Sequence, residues 1–309
     1  MVLRAAVIGV GYLGKHHARI YSSLEGVELV GVVDESEEAR DAIAAEYGTK
    51  AYADYKEVFD LADVISIVTP TVSHFHIANE CISAGKDILL EKPITTTVDE
   101  ADRLIHEAGR LDRIVQVGHL ERYNPAVVAM GGMMRSPFLI EAERVSPYLG
   151  RGTDVDTTLD LMIHDIDIVT SLLGGASIKN IRAAGSMFVS GNIDAAKAWL
   201  EFEGGATAVL TASRVANEKH RLLRVFQGTE CLELDYQSMK ILRKYPEGSM
   251  MGVDEVPIES REPLKEEIVD FISCVRERRR PMVSALEGRN ALDVALKISQ
   301  QIRKAGTPA

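Results

Sequence analysis

The sequence predicts an α/β chain in two parts. A parallel sheet covered on both faces comes first, and an α+β domain with a large, mostly antiparallel open sheet follows. Three observations lead there. Short apolar runs alternate with helical patterns through the first third, and a glycine-rich turn joins the first run to the first helix. Beyond about residue 120 strand-like runs succeed one another with few helices between them. Alternation of the first kind makes parallel sheets, and strand-after-strand order makes antiparallel ones. The length of 309 residues gives room for both, with expected domains 1–120 and 121–309 and C-terminal helices packing back on the first.

In order, residues 5–10 read as a buried strand and 15–23 as a helix. A strand at 27–33 and an Ala- and Glu-rich helix at 37–47 follow. Residues 64–68 are a strand ended by Thr69-Pro70, and 73–84 a helix stopped by Gly85, a residue suited to ending helices. The strands 87–90 and 114–117 flank a helix at 98–108. In the second part a helix at 125–130 precedes strands at 138–144, 178–187, 195–202, 207–214, 222–227 and 231–235. Helices are expected at 159–173, 264–278 and 285–304, a surface excursion at 244–262, and a frayed tail at 306–309.

Composition narrows the function. With 46% hydrophobic and 26% charged residues the chain is ordinary globular material. Thirty-five Lys and Arg against 46 Asp and Glu give a net charge of −11, which disfavours nucleic acid and anionic membrane as partners. No apolar run approaches the ~18 residues of a membrane span. The N-terminus reads as a first strand, not a signal peptide. Cys81, Cys231 and Cys274 form no CxxC pair, so neither a disulfide framework nor a metal site is expected, and a cytoplasmic location fits.

The turn Gly9-Val10-Gly11-Tyr12-Leu13-Gly14 lies between the first strand and its helix. Glycines there allow a tight turn and close approach of a pyrophosphate, which the helix N-terminus receives on free N–H groups. Asp34 ends the second strand, 20 residues beyond Gly14, where a carboxylate accepts the ribose hydroxyls and repels a 2′-phosphate. NAD is therefore expected over NADP. Arg40, six residues on and inside a helix, carries little weight against this. Lys92, in Glu91-Lys92-Pro93, stands at the C-terminal end of a strand, the edge where open parallel sheets bind ligands.

With these residues the chain resembles the Gfo/Idh/MocA oxidoreductases. The resemblance rests on Gly9–Gly14 followed by His17-Ala18, Thr69-Pro70 with His74, Glu91-Lys92-Pro93, Asp160/His164/Asp167 before a Leu-Leu-Gly end, and the stretch 264–291. It implies a Rossmann domain binding NAD(P) through Gly9, Gly11, Tyr12, Leu13, Gly14, Asp34, Thr69, Pro70, His74, Glu91 and Lys92. It also implies that Lys92 touches both nicotinamide and substrate. The chain is most similar to the UDP-N-acetylglucosamine 3-dehydrogenase-like branch, on 118–125 and 159–167, and that implies oxidation of a nucleotide sugar's 3-hydroxyl. A homodimer or homotetramer is implied as well.

Asp160, His164 and Asp167 are spaced i, i+4, i+7 and share a helical face. A free imidazole titrates near ~6.5, which suits it to take a proton from an alcohol. Asp160 is expected to orient it or to hold a substrate hydroxyl. Where many family members carry a glycine triplet, this chain has Asp154-Val155-Asp156-Thr157-Thr158, a loop expected to line the pocket. Arg122 and Tyr123 are expected either to grip a polar substrate group or to form part of a hinge. The candidate catalytic set is thus Lys92, His164 and Asp160, with Arg122, Tyr123 and Asp156 as further substrate residues. The alternatives are a cyclitol or free-sugar dehydrogenase and a non-catalytic regulator sensing NAD or a sugar. An exposed apolar sheet face carrying Val209, Leu210, Leu222 and Val225 is expected to mediate self-association.

Overall fold

A computed structural model describes residues 2–148, 150 and 155–306; Asp154 of the expected pocket loop and residues 307–309 of the expected frayed tail lie outside them. The chain divides into two compact units, Met1–Leu120 with Glu262–Asn290 and Glu121–Arg261 with Ala291–Ala309.

The first unit is built on six parallel strands: β1 (Leu3–Ile8), β2 (Val27–Val33), β3 (Ala51–Tyr52), β4 (Val64–Ile67), β5 (Asp87–Glu91) and β6 (Val115–Gly118). Their spatial order is β3-β2-β1-β4-β5-β6. Connections leave β1 in opposite directions, so a crevice opens at the strand ends between β1 and β4, the place where such sheets take ligands. Helices α1 (Gly14–Ser23), α2 (Glu37–Tyr47), α3 (Thr71–Ser83), α4 (Val98–Leu111) and, from far along the chain, α7 (Pro263–Glu277) belong to this unit. Ala18, Ile20 and Tyr21 of α1 and Ile268, Phe271 and Ile272 of α7 share one core with Val7, Val32, Val64 and Leu89 of the sheet. The short β3, only two residues long, has no counterpart in the expected elements.

The second unit begins with a 3-10 turn at Leu120–Tyr123 and α5 (Pro125–Gly132), where Asn124 caps the helix by accepting the Ala126 N–H. Its eight-stranded sheet runs β14-β13-β12-β11-β7-β10-β9-β8. The strands are β7 (Leu139–Val145), β8 (Ile178–Ser186), β9 (Ala195–Phe202), β10 (Thr207–Ser213), β11 (His220–Gln227), β12 (Glu230–Asp235), β13 (Lys240–Glu247) and β14 (Met250–Val256). All pairs are antiparallel except β7 with β10. The expected surface excursion at 244–262 is in large part ordered sheet, since Lys240–Glu247 and Met250–Val256 form the edge hairpin β13–β14. Their charges and Pro246 are what an exposed edge requires, and they obscure the alternation by which strands are read. Tyr245 packs its ring over the partner position Gly252, where a Cβ would stand 2.7 Å from it.

Helix α6 (Ile163–Leu172) continues from a π-helical turn at Thr158–Met162, and α8 (Ala285–Ala305) contributes its latter part to this unit. Alternate residues of β10 and β11, among them Ala208, Leu210, Leu223 and Val225, enter the core with Ile163, Ile166 and Ile298. This corrects the expected interface set. Leu210 and Val225 point inward, and only Val209 and Leu222 belong to the outward face.

The core also holds an arginine. Arg144, 2% exposed, faces inward from β7 and meets Asp165 of α6 through Nε and Nη2, the latter at 2.9 Å. Nη1 reaches Glu121 at 3.1 Å, and the guanidinium lies over the Tyr236 ring at 5.3 Å. Burial works against this charge, but the facing Asp165 and Glu121 more than offset it and raise the arginine's pKa. Removing one member of such a group strands the others in a low-dielectric interior. Arg144→Met is expected to lower the free energy of unfolding by about 3–5 kcal/mol in urea melts. The double variant Arg144→Met/Asp165→Leu should recover part of that loss, and a single variant as stable as wild type would contradict this account.

Candidate functional site

The glycine turn is shaped by close approach. Gly9 has φ +85°, and a Cβ on it would stand 2.5 Å from the Val68 carbonyl oxygen. A Cβ on Gly14 would lie 1.8 Å from the Gly9 oxygen. Gly11 has open space where its Cβ would be. Two of the three glycines are thus demanded by the fold, and the third leaves the approach to the N-terminus of α1 clear. Anionic phosphates favour such a terminus, and this cradle fits a dinucleotide. Tyr12 is strongly exposed beside it, edge-on to the His16 ring, with Lys15 near its face.

Asp34 follows β2 and is fixed on both oxygens. Oδ2 accepts the Val10 N–H at 2.8 Å, and Oδ1 accepts the Ser36 N–H at 2.9 Å. The carboxylate therefore ties the glycine turn to the segment that follows β2. Arg40 is closer to this corner than its helical position suggested. Its Nη1 donates to the carbonyls of Asp34 and Glu35 at 3.4 and 3.3 Å.

At the end of β4, His74 of α3 bridges two turns. Its Nε2 lies 2.8 Å from the Thr69 carbonyl and its Nδ1 2.8 Å from the Pro93 carbonyl. Burial lowers the imidazole's pKa against the pull of these carbonyls. Thr69-Pro70 is thereby held to the Glu91-Lys92-Pro93 segment, whose Lys92–Pro93 peptide is cis. Glu91 turns back so that its Oε2 accepts the Lys92 N–H at 3.2 Å, and Lys92 itself is half-buried at the end of β5.

In the second unit Asp160 lies in the π-helical turn and His164 one turn on, at the start of α6. Such turns within helices occur often at functional sites. Both side chains are half-buried, and Arg214, which follows β10, brings Nη2 to 3.9 Å from Asp160 Oδ2 while donating to the Val155 carbonyl at 3.0 Å. Asp167 is buried and accepts from Arg122 at 3.2 Å. Arg122 is thus brought to the Asp160–His164 helix through a partner on that helix, and Tyr123 is buried beside it in sequence.

Asp156 departs from its expected pocket role. It is buried, its Oδ1 accepts the N–H groups of Thr158 and Leu159, and its Oδ2 meets Arg303 at 3.3 Å. These bonds cap the turn that carries Asp160 and occupy the carboxylate.

Arg144, Asp165, Arg214 and Glu267 were not singled out from the sequence. A charge inside an alternating strand or an apolar helix was the available signal. Among the described residues no group of three or more His, Cys, Asp or Glu could hold a metal ion, and no helix is long and apolar enough to cross a membrane.

Comparison with known proteins agrees with this division. Residues 3–119 match a family model described as an oxidoreductase family, NAD-binding Rossmann fold, and residues 127–231 match the GFO/IDH/MocA C-terminal domain. UDP-N-acetylglucosamine 3-dehydrogenase of Acidithiobacillus ferrooxidans is 36% identical over 96% of both chains. A solved structure of that enzyme superposes with a TM-score of 0.93 at 33% identity, over 98% of each chain. The scyllo-inositol 2-dehydrogenase (NAD(+)) of Bacillus subtilis is 27% identical, over 97% of this chain and 94% of its own. With a nucleotide cradle at the end of β1 and relatives matched along nearly its whole length, the chain belongs to the Gfo/Idh/MocA family of NAD-binding oxidoreductases.

Proposed function

We propose that this protein is an NAD-dependent dehydrogenase that oxidises the 3-hydroxyl of UDP-N-acetylglucosamine. The observation that carries the reading is the 36% identity to a UDP-N-acetylglucosamine 3-dehydrogenase along 96% of the chain. Bound nicotinamide supplies the hydride acceptor. His164 takes the hydroxyl proton, Asp160 orients it, and Lys92 hydrogen-bonds the same oxygen. Arg122 and Tyr123 are proposed to meet polar groups of the substrate. A second reading, inositol oxidation, is supported by the nearly full-length match to a scyllo-inositol dehydrogenase at lower identity. NAD reduction assayed with UDP-N-acetylglucosamine, free sugars and inositols separates the two. Turnover of inositols without turnover of the nucleotide sugar would overturn the first. The three free cysteines fit a reducing cytoplasm.

Proton removal by a positioned base is worth roughly 10²–10⁴-fold. His164→Ala should lower kcat by about that factor while leaving NAD affinity in fluorescence titrations unchanged. Lys92→Ala should lower kcat similarly and also disturb nicotinamide placement. A His164→Ala enzyme with wild-type kcat would remove the proposed base.

Asp34 should set the choice of dinucleotide. Wild type is expected to prefer NAD, and Asp34→Ala to shrink the NAD/NADP ratio of kcat/KM by roughly tenfold or more, the worth of a charge-assisted hydrogen bond. Because Asp34 also holds the Val10 N–H, the variant should bind both dinucleotides less tightly. Better use of NADP than NAD by wild type would contradict this.

Self-association is proposed through the outward face of the eight-stranded sheet. Val209 and Leu222 lie there among the ion pairs Arg224–Glu233, Lys244–Glu233 and His220–Glu143. Light scattering at micromolar concentration should report a dimer or tetramer. A monomer would count against the interface.

A further inference from the structure

Behind Asp160 stands a buried arginine. Arg214 follows β10 and is 4% exposed. Its backbone N–H donates to the Asp194 carbonyl at 2.9 Å, and the Thr157 N–H donates to the adjacent Ile193 carbonyl at 2.9 Å. The segment after β10 and the segment entering the π-helical turn are thus laced to one loop. Asp194, itself buried, stiffens that loop: its Oδ2 accepts the N–H groups of Phe188, Val189 and Ser190 at 2.8, 2.7 and 3.1 Å. From this base the Arg214 side chain reaches both ends of the turn. Nη2 donates to the Val155 carbonyl, ahead of the turn, at 3.0 Å, and lies 3.9 Å from Asp160 Oδ2 within it. Nη1 is buried with no hydrogen-bonding partner among the described residues.

We propose that Arg214 is a positioning residue for Asp160: its guanidinium, braced on the Val155 carbonyl, supplies the charge that holds the Asp160 carboxylate in place. An arginine does not shed its proton in a folded protein, and a buried one demands a counter-charge. Among the described residues Asp160 is the one carboxylate in ion-pair reach of Arg214. At 3.9 Å the two are joined by charge and not by a hydrogen bond. Exposure sets the direction. The Arg214 side chain is 5% exposed and that of Asp160 30%, so the cation backs the carboxylate from the interior and leaves it an open side. The Asp160 N–H donates to the Asp156 carbonyl at 3.0 Å, so residues 155 and 156 anchor its backbone directly and its side chain through Arg214. The role rests on the reading that places Asp160 in the reaction.

Two variants separate charge from shape. Arg214→Gln removes the charge and keeps a donor for the Val155 carbonyl, and Arg214→Lys keeps the charge and gives up the planar fork. With UDP-N-acetylglucosamine the Gln variant should lose about tenfold or more in kcat, as small misplacements at reacting centres do, with NAD affinity in fluorescence titrations unchanged. The Lys variant should recover most of that loss. Equal losses in the two would overturn the role of charge. Groups that act as a unit are not additive, so in an Asp160→Asn background Arg214→Gln should cost only about twofold more. A loss that persists there in full would overturn the route through Asp160.

A second arm needs no substrate. Carbodiimide couples a carboxyl by way of its protonated form, which a facing cation disfavours. Coupling of Asp160 to glycine ethyl ester, followed by peptide mass spectrometry, should quicken several-fold in the Gln variant and stay near wild type in the Lys variant. Asp156, buried in the same turn, is the control and should stay slow throughout. If wild type oxidises neither the nucleotide sugar nor an inositol while the coupling behaves as stated, the substrate reading fails and the hold of Arg214 on Asp160 stands. Unchanged coupling of Asp160 in the Gln variant would overturn that hold. Faster coupling of Asp156 and Asp160 together would reduce Arg214 to a brace of the fold and overturn it as well.

Discussion

Three strand ends meet at the first glycine turn, and the geometry of that meeting governs the dinucleotide unit. Gly9 sits against the Val68 carbonyl, Gly14 against the Gly9 carbonyl, and Val10 gives its N–H to Asp34. The two glycine contacts are at backbone distance, so neither position tolerates a side chain. Helix α1 begins where it does because of this packing, and its N–H groups are aimed by the same contacts. The crevice is thus fixed before any ligand arrives, which spares the binding step the cost of ordering a loop.

The second unit solves a different problem. Its polar helix start must stand in an otherwise apolar layer. Asp156 caps the turn, Arg214 approaches Asp160, Arg122 meets Asp167, and Arg144 anchors Asp165 from the sheet. Consecutive acids on one helix are matched by arginines from separate strands and turns. In both units the sequence neighbour of a residue proposed for the chemistry has a buried partner: Glu91, beside Lys92, lies against His17, and Asp165, beside His164, is held by Arg144.

What could be read in advance was whatever is local. The parallel strands of the first unit and the glycine turn between β1 and α1 depend on neighbours along the chain. The face pattern failed where several strands must be phased together. Val209 and Leu210 are adjacent and point to opposite sides of a strand, so they could not both lie on one face. The edge hairpin was hidden by its charges. Arg144 was not singled out because its partners come from other elements, with Asp165 21 residues away and Glu121 23. No spacing rule reaches that far.

The division of the chain carries a consequence for taking the protein apart. The backbone passes between the two units three times, at 120/121, 261/262 and 290/291. The second unit is thus largely an insertion within the first. A fragment ending at residue 120 would retain the glycine turn, Asp34 and Lys92 but lack α7. Ile268, Phe271 and Ile272 would then no longer cover Val7, Val64 and Leu89, and apolar surface of the sheet would face water. Autonomy would require grafting 262–290 back onto the fragment, and a single proteolytic nick at any one of the three crossings would not divide the chain into its two units.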